Sequence, residues 1–275
     1  MESFIHLFEY GFFQNAFLAA ILASISCGII GTYIVSKRIV FVSGGITHAS
    51  FGGIGIGYFL GINPVTGAIF FSVLSAFGAE YFTKKADMRN DSVIAILWSL
   101  GMAIGIIFIY LTPGYSPNLM TYLFGSIITV GPADLYPLLA LTLFLIVFFA
   151  YFYRLILFIS FDEEFALTRK APVNFINYFM ISLVALTIVL NIKIAGIILV
   201  ISLLTIPQNA ANLFTNEFRK IIYYSVIIGF AGSFSGLIMS YFLNIPSGAS
   251  IIFSLVLIYL FLRFIRIFII RRKRA

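Results

Sequence analysis

The stretch SGGITHASFGGIGIGYFLG, residues 43–61, is apolar enough to cross a lipid bilayer and is rich in glycine. Small residues recur in it at every fourth position, which places them on one face of a helix: Gly45, Ala49, Gly53, Gly57 and Gly61. A face without large side chains lets a second helix approach closely. We therefore expect the glycines of this seam to pack neighbouring helices together.

A second column of the same helix, about 100° round from the seam, carries the only histidine of this stretch. His48 lies in that column together with Gly44 and Gly52. An ionisable group inside a membrane span is costly and by default indicates a functional site. The alternative is a neutral histidine that is hydrogen-bonded to a neighbouring helix.

The composition of the whole chain excludes a soluble domain. Hydrophobic residues make up 61% and charged residues 10% of the 275 residues, whereas soluble domains contain about half and about a quarter. The apolar runs are continuous and recur along the chain, which predicts an all-α, polytopic membrane bundle and not a β-barrel. We expect one transmembrane domain over residues 1–275. The single Cys27 excludes a disulfide within the chain and a cysteine-based metal cluster.

The apolar runs predict eight or nine transmembrane helices. The runs are residues 13–36, 43–61, 65–82, 92–111, 135–159, 174–190, 194–214, 221–243 and 249–270. The segment 119–130 is about 18 Å long as a helix, too short to span, and is predicted to be re-entrant or interfacial. If another of the shorter runs is also re-entrant, eight crossings remain.

The basic residues predict the orientation of the chain. Their clusters fall on one side of this arrangement, which by the positive-inside rule puts the N-terminus outside and the C-terminus in the cytoplasm. The net charge of +7 is explained in the same way and does not indicate nucleic-acid binding.

The run 194–214 is interrupted by Pro207, which is followed by Gln208 and Asn209. Broken helices at membrane depth survive where they line a cavity or pack within protein, so both polar residues are candidates for lining a pathway. The alternative is a helix that simply ends at Pro207 near the membrane interface.

The loop 160–174 is predicted to contain a short cytoplasmic helix. Three carboxylates open it and two basic residues close it, the charge order that suits the helix dipole: Asp162, Glu163, Glu164, Arg169 and Lys170. A short amphipathic helix in the cytosol suits docking into a groove of a partner protein. The alternative is that it lies flat on the lipid surface.

Seven pieces of the sequence together resemble a known family. KRIVFVSGGITHASFGGIGIG, residues 37–57, resembles the signature of the manganese/zinc/iron-type ABC importer permeases, in which a basic pair precedes Gly-Asp-x-x-x-His-Ala-x-x-x-Gly. Further matches follow in order: Asp91-Ser92, NLMTYLFGS at 118–126, Asp134, FDEEFA at 161–166, LLTIP at 203–207 and PSG at 246–248. The resemblance covers nearly the whole chain.

The resemblance implies a permease subunit of an ATP-driven importer for divalent transition metals in the bacterial cytoplasmic (inner) membrane, and not an enzyme. Two copies of a cytosolic ATP-binding subunit would use ATP and dock on the coupling helix, residues 162–170. A second permease, expected to form a homodimer with the first, and an external metal-binding protein would complete the complex. No cofactor would be bound permanently. The chain has no Gly-rich phosphate loop of its own.

The resemblance also suggests roles for particular residues. His48 would contact the metal ion. The pathway would be lined by Gly44, Thr47, Gly52, Asn118, Tyr122, Gln208 and Asn209. Helix packing would depend on the seam glycines Gly45, Gly53, Gly57 and Gly61. Coupling to the ATPase would depend on Asp162, Glu163, Glu164, Arg169 and Lys170.

The chain departs from the family pattern where the family has acidic residues, because Gly44 and Asn118 replace aspartates. Manganese favours carboxylate oxygens, whereas zinc and ferrous iron accept imidazole. A pathway with His48 and no nearby carboxylate therefore predicts Zn²⁺ or Fe²⁺ over Mn²⁺. In a symmetric pair, two copies of His48 could face each other across the axis and supply two ligands.

Two other kinds of transporter remain as alternatives. One is the permease of a metal-chelate importer, for a siderophore or a cobalamin-like compound. The other is a gradient-driven secondary transporter, which would need buried carboxylates or lysines to carry the coupling ion.

Overall fold

The computed structural model describes residues 9–85, 89–113, 125, 127 and 130–274, with the backbone alone for 84, 85, 90 and 270–274. The regular structure of these residues is helical, as the sequence predicts. The helices are α1 Gly11–Ser36, α2 Val40–Phe59, α3 Pro64–Lys85, α4 Asn90–Leu111, α5 Pro132–Phe161, α6 Glu163–Thr168, α7 Val173–Leu203, α8 Ile206–Ala211, α9 Phe218–Leu243 and α10 Ser247–Arg274.

Seven helical segments of the described chain are long and apolar enough to cross a membrane. They are Gly11–Ser36, Pro64–Thr83, Asp91–Leu111, Pro132–Phe161, Val173–Ala211, Phe218–Leu243 and Ser247–Ile269. The chain is therefore a multi-span membrane protein, but the predicted count of eight or nine crossings is not confirmed.

The seven segments differ from the nine predicted runs at two places in the chain. The glycines, hydroxyl residues and His48 of α2 lower its hydropathy, and α2 is not among the seven segments. The predicted sixth and seventh runs lie in one 39-residue segment, Val173–Ala211. It is interrupted at Gly196, whose φ of 78° and ψ of 162° are not helical. The chain therefore bends at a glycine, the residue that adopts positive φ without a steric penalty, and not at 191–193.

The predicted re-entrant segment, residues 119–130, lies mostly outside the described residues. Of this segment the structure describes Gly125, Ile127 and Val130.

Ser36–Leu119 and Phe152–Ile192 form one compact unit of the chain. Within it, α2 packs against both α3 and α4. A side chain at Gly53 would overlap the backbone of Gly67 in α3, and one at Gly55 would overlap the backbone of Gly105 in α4. The glycines therefore allow backbone-to-backbone contact on two sides of α2.

Met1–Val35, Met120–Tyr151 and Lys193–Ala275 form the other unit. Within it, α9 packs against α8 and α10. Leu255 and Ile251 of α10 fill the space that side chains at Gly232 and Gly236 of α9 would need. Close helix packing at small residues is therefore used in this unit as well.

Candidate functional site

The hydroxyl groups of α2 are satisfied within their own helix. Thr47 Oγ1 donates to the carbonyl oxygen of Ser43 at 2.6 Å, and Ser50 Oγ donates to that of Thr47 at 2.6 Å. Thr47 and Ser50 are fully buried. Thr47, predicted to line a pathway, is therefore an internally bonded residue in this structure and offers no accessible surface.

His48 differs from these neighbours because its ring lacks such a partner. Its Nδ1 atom is buried and has no hydrogen-bond partner within the described part of the chain. The helix runs from Val40 to Phe59, so His48 lies within about two residues of its middle. Unlike the hydroxyl groups of Thr47 and Ser50, Nδ1 makes no bond to a carbonyl of its own helix.

The imidazole of His48 stacks on the indole of Trp98 in α4. The two ring centroids are 3.8 Å apart and the ring planes are inclined by 10°. Helix packing fixes the register of the contact, because the positions that flank Trp98 in α4 lie against α2: Ile94 contacts Gly45 and Gly101 lies against Ala49. His48 is therefore held by a flat apolar surface and not by a hydrogen bond.

Gly44 lies one helical turn before His48 and has open space beside it. A methyl group at Gly44 would have no other atom within 4 Å, apart from its chain neighbours and its own helix. At Gly45, by contrast, it would approach Ile94 Cγ2 to 2.9 Å. Gly52, also predicted to line the pathway, is packed against Phe71 and the carbonyl oxygen of Gly101. Of the column around His48, Gly44 is therefore the position with free space.

The seam glycines do not all share the predicted role. Gly45, Gly53 and Gly57 lie against Ile94, Gly67 and Pro64, respectively. Gly61 lies beyond the end of α2, has a φ of 67°, and has nothing within 4 Å of a built methyl group. The prediction that Gly61 packs helices is therefore corrected: Gly61 allows the left-handed turn that follows the helix.

The side chain of Gln208 is buried and is hydrogen-bonded to two backbone carbonyls. It is 0% exposed, and its Nε2 donates to the carbonyl oxygens of Cys27 and Leu203 at 2.9 and 3.1 Å. The pathway role of Gln208 stays a prediction. Asn209 is exposed, and its Nδ2 donates to the carbonyl oxygen of Thr205 at 2.8 Å. Asn118 and Tyr122, the other predicted pathway residues, lie outside the described residues.

The predicted coupling helix is present as α6, Glu163–Thr168. Asp162 caps its N-terminus, because Asp162 Oδ1 accepts a hydrogen bond from the Phe165 backbone N–H at 2.8 Å. Ala166 is buried, whereas Phe161, Phe165 and Leu167 are exposed. The helix thus presents apolar side chains on its free surface, together with the exposed residues Glu164, Arg169 and Lys170.

Glu163 points away from that surface into a closed polar triangle. Lys37 Nζ lies 3.1 Å from Glu163 Oε2 and 3.4 Å from Asn177 Oδ1. Asn177 Nδ2 donates to Glu163 Oε1 at 3.0 Å. The side chains of Lys37 and Glu163 are 15% and 34% exposed. Glu163 therefore ties α6 to the short connection between α1 and α2 and to the start of α7.

Sequence reasoning did not predict the contacts that Trp98, Lys37 and Asn177 make in these two regions. The sequence does contain a signal for Trp98. One face of its helix carries Ile94, Trp98, Gly101 and Gly105, and the two glycines on that face allow close packing. No comparable signal exists for Asn177, whose partner Lys37 is 140 residues away in the chain.

Among the residues that the structure describes, no three histidine, cysteine, aspartate or glutamate side chains come together as a metal-binding group. A single chain thus offers an ion one imidazole in α2, which suits passage better than tight storage.

Comparisons with known proteins identify the family. A model of the ABC 3 transport family matches residues 9–266, so the chain belongs to that family. An uncharacterized membrane protein of Synechocystis sp. is 39% identical over 260 residues, covering 94% of this chain and 92% of that protein. The manganese transport system membrane protein MntC of Listeria innocua is 32% identical over 253 residues, covering 92% and 90%.

A solved structure agrees with this assignment. PsaBC from Streptococcus pneumoniae in complex with Fab contains a chain that is 30% identical, with a TM-score of 0.86 and coverage of 95% of this chain and 94% of that chain. The chain is therefore the permease of a metal ABC transporter, which is a transporter and not an enzyme. The resemblance inferred from the sequence motifs is thereby confirmed.

Proposed function

We propose that the chain is the membrane permease of an ATP-driven importer that moves a divalent transition metal into the bacterial cytoplasm. The observation that carries this proposal is His48, whose buried Nδ1 has no hydrogen-bond partner in the described structure. An orphaned buried nitrogen costs about 1–3 kcal/mol unless it finds a partner. In a member of the ABC 3 transport family, a passing metal ion is a suitable partner for an imidazole nitrogen.

The comparisons do not support the predicted preference for Zn²⁺ or Fe²⁺. The similar protein MntC of Listeria innocua is named for manganese. We therefore take Mn²⁺ as the first cargo to test. Zn²⁺ is the competitor to test beside it, because the donor in this chain is an imidazole and Gly44 supplies no carboxylate.

The proposed complex contains a second copy of the permease, so that two His48 rings supply ligands to one ion. One imidazole is too few donors for a divalent ion, and the described chain offers no further cluster. An external metal-binding protein would deliver the ion, and two cytosolic ATP-binding subunits would supply the energy. Their docking site is the free surface of α6, with Phe161, Phe165 and Leu167 exposed.

We further propose nine crossings within one domain of residues 1–275, with the N-terminus outside. Counting α2 and dividing Val173–Ala211 at Gly196 raises seven segments to nine. The pairing of Lys37 with Glu163 supports a common cytoplasmic side for the basic pair and α6. Lys193 falls on the outer side in this topology, and it forms an ion pair with Asp134. The positive-inside rule counts an excess of lysine and arginine, so one lysine on the outer side does not reverse it.

The test is metal uptake by cells that carry the importer with His48→Ala in place of the natural permease. We expect saturable uptake of radioactive Mn²⁺ to fall more than about tenfold, because the ion loses its ligand. Ser50→Ala is the matched control on the same helix, since it removes one internally bonded hydroxyl. Competition with unlabelled Zn²⁺ ranks the two metals. Unchanged uptake in His48→Ala would overturn the proposal that His48 contacts the cargo.

A further inference from the structure

The ring contact between His48 and Trp98 leads to an inference that rests on the proposed function and goes beyond it. Protein histidines that bind metals are usually oriented by a hydrogen bond from the second ring nitrogen to a neighbouring acceptor. No protein acceptor bonds to His48 in the described structure, either at the buried Nδ1 or at the other ring nitrogen. What lies against its ring instead is the indole of Trp98, almost parallel at 3.8 Å.

The position of Trp98 argues against the ordinary role of tryptophan in membrane proteins. Tryptophans collect at the membrane interfaces, where the amphipathic indole lies at headgroup level. Trp98 lies within about three residues of the middle of α4, Asn90–Leu111, which is about 4 Å along the helix axis. A tryptophan near the centre of a spanning helix needs another explanation, and its ring contact with His48 supplies one.

The contact is also stronger when an ion is bound. A metal ion that binds an imidazole nitrogen shares its positive charge with the ring. The face of an indole is electron-rich and attracts a positively charged group stacked on it. The indole face therefore favours the ion-bound form of His48 over the free form.

The helix contacts keep the indole in place while this happens. On both sides of Trp98, α4 is in contact with α2: Ile94 lies against Gly45, and Gly101 lies against Ala49. Since the α4 backbone is in contact with α2 at Gly101, α4 cannot approach further, and the spacing of the rings is set by the packing of two helices.

We propose that Trp98 is the positioning residue of His48: its indole face holds the imidazole in the orientation that meets the passing divalent cation. Trp98 does not bind the ion itself. By acting through His48, it lowers the ion concentration at which the pathway is half-occupied.

The chain carries its own reporter for this proposal, because Trp98 is its single tryptophan. The full chain, purified in detergent, is titrated with MnCl₂ while tryptophan emission is recorded. Mn²⁺ is paramagnetic, and at His48 it would lie within a few ångströms of the indole. We expect saturable quenching in the natural chain and only weak, non-saturating quenching in His48→Ala. His6→Ala, which removes the other histidine of the sequence, is the matched control and should quench like the natural chain.

A second measurement separates positioning from folding. In uptake assays, Trp98→Leu removes the aromatic face and should raise the KM for Mn²⁺ by about two- to thirtyfold, with the maximal rate per folded permease retained. Trp98→Phe keeps an aromatic face and should restore most of the loss. Melting temperatures of the purified variants establish that they are folded.

The outcomes distinguish this inference from the proposed function. If His48→Ala abolishes uptake while Trp98→Leu leaves the KM unchanged, Trp98 does not position His48 and the inference fails, whereas the function stands. Saturable quenching that survives in His48→Ala places the ion elsewhere and also overturns the inference. If the natural importer takes up no metal although Mn²⁺ quenches Trp98 through His48, the proposed function fails and the ring pair remains a metal-responsive site.

Discussion

Gln208 and His48 are both polar side chains within apolar runs, yet they differ in what their polar atoms contact. Gln208 uses both hydrogens of Nε2 on backbone carbonyls, although its Oε1 has no partner within the described chain. His48 stacks on a ring, and its Nδ1 is unpaired. The difference arises from the backbone around them. Gln208 lies next to the break between α7 and α8, where the Leu203 carbonyl lacks a helical partner, and its amide also reaches the Cys27 carbonyl within α1. The ring of His48 packs against an indole, and its Nδ1 reaches no carbonyl.

A polar side chain that donates to backbone carbonyls stabilises the structure, whether it lies at a helix break or between helices. His48 has no such bond at Nδ1, so an ion can bind its imidazole without first breaking a protein hydrogen bond.

The largest expected effect is that of Gln208→Leu on stability. The substitution leaves the carbonyls of Cys27 and Leu203 without their donor, which should lower the free energy of unfolding by about 2–4 kcal/mol. The measurement is the melting temperature of the purified chain, together with uptake per folded molecule, which should remain near normal. Asn209→Ala, at the exposed neighbouring position, should change stability by less than about 0.5 kcal/mol. A stable Gln208→Leu variant without uptake would reverse the comparison.

A somewhat smaller effect is expected in the polar triangle at α6. Glu163→Lys or Lys37→Glu should each lower the free energy of unfolding by about 1–2 kcal/mol, because the ion pair is partly buried and a like charge replaces one partner. The double variant that exchanges the two charges should recover most of the lost free energy of unfolding. It should also support more ATP-driven uptake than either single variant.

The control for the triangle is Lys220→Gln, which breaks the exposed pair with Glu217 and should leave the melting temperature unchanged. If the exchanged pair is no more stable than the single variants, Glu163 does not depend on Lys37, and its role would have to lie at the ATPase surface.

The comparison can be sharpened by giving His48 a partner ligand. Gly44→Asp places a carboxylate one turn from His48, at a position where a methyl group meets nothing within 4 Å. Because Mn²⁺ prefers carboxylate oxygens, the KM for Mn²⁺ should fall about tenfold relative to the natural chain. Uptake assays measure the change. Gly44→Asn, which has the same shape without the charge, should have a much smaller effect; equal effects of the two variants would show that charge is not involved.

The smallest expected stability effect belongs to His48 itself. His48→Phe keeps a ring to stack on Trp98 and removes the unpaired nitrogen, so the free energy of unfolding should change by less than about 0.5 kcal/mol. Uptake should nevertheless be lost with the ligand. A marked drop in melting temperature would mean that His48 stabilises the fold, as Gln208 does.

The features that depend on near neighbours in the chain can be predicted from the amino-acid sequence alone. The length and composition of the apolar runs determined a multi-span helical protein, because each spanning helix satisfies its own backbone. The spacing of Gly45, Gly53 and Gly57 determined a smooth helix face, and the charge order of residues 162–170 determined the short helix α6. The order of the motifs along the chain was sufficient for the family.

The tertiary structure is needed to establish which of the polar side chains have a hydrogen-bond partner. Trp98 meets His48 from 50 positions further along the chain, and Glu163 meets Lys37 across 126. It also decided that Gly61 ends a turn and that Gln208 is enclosed. The physical reason is that helical periodicity relates residues only three or four positions apart, whereas the partner of a buried polar group is supplied by whichever distant segment the packing brings beside it.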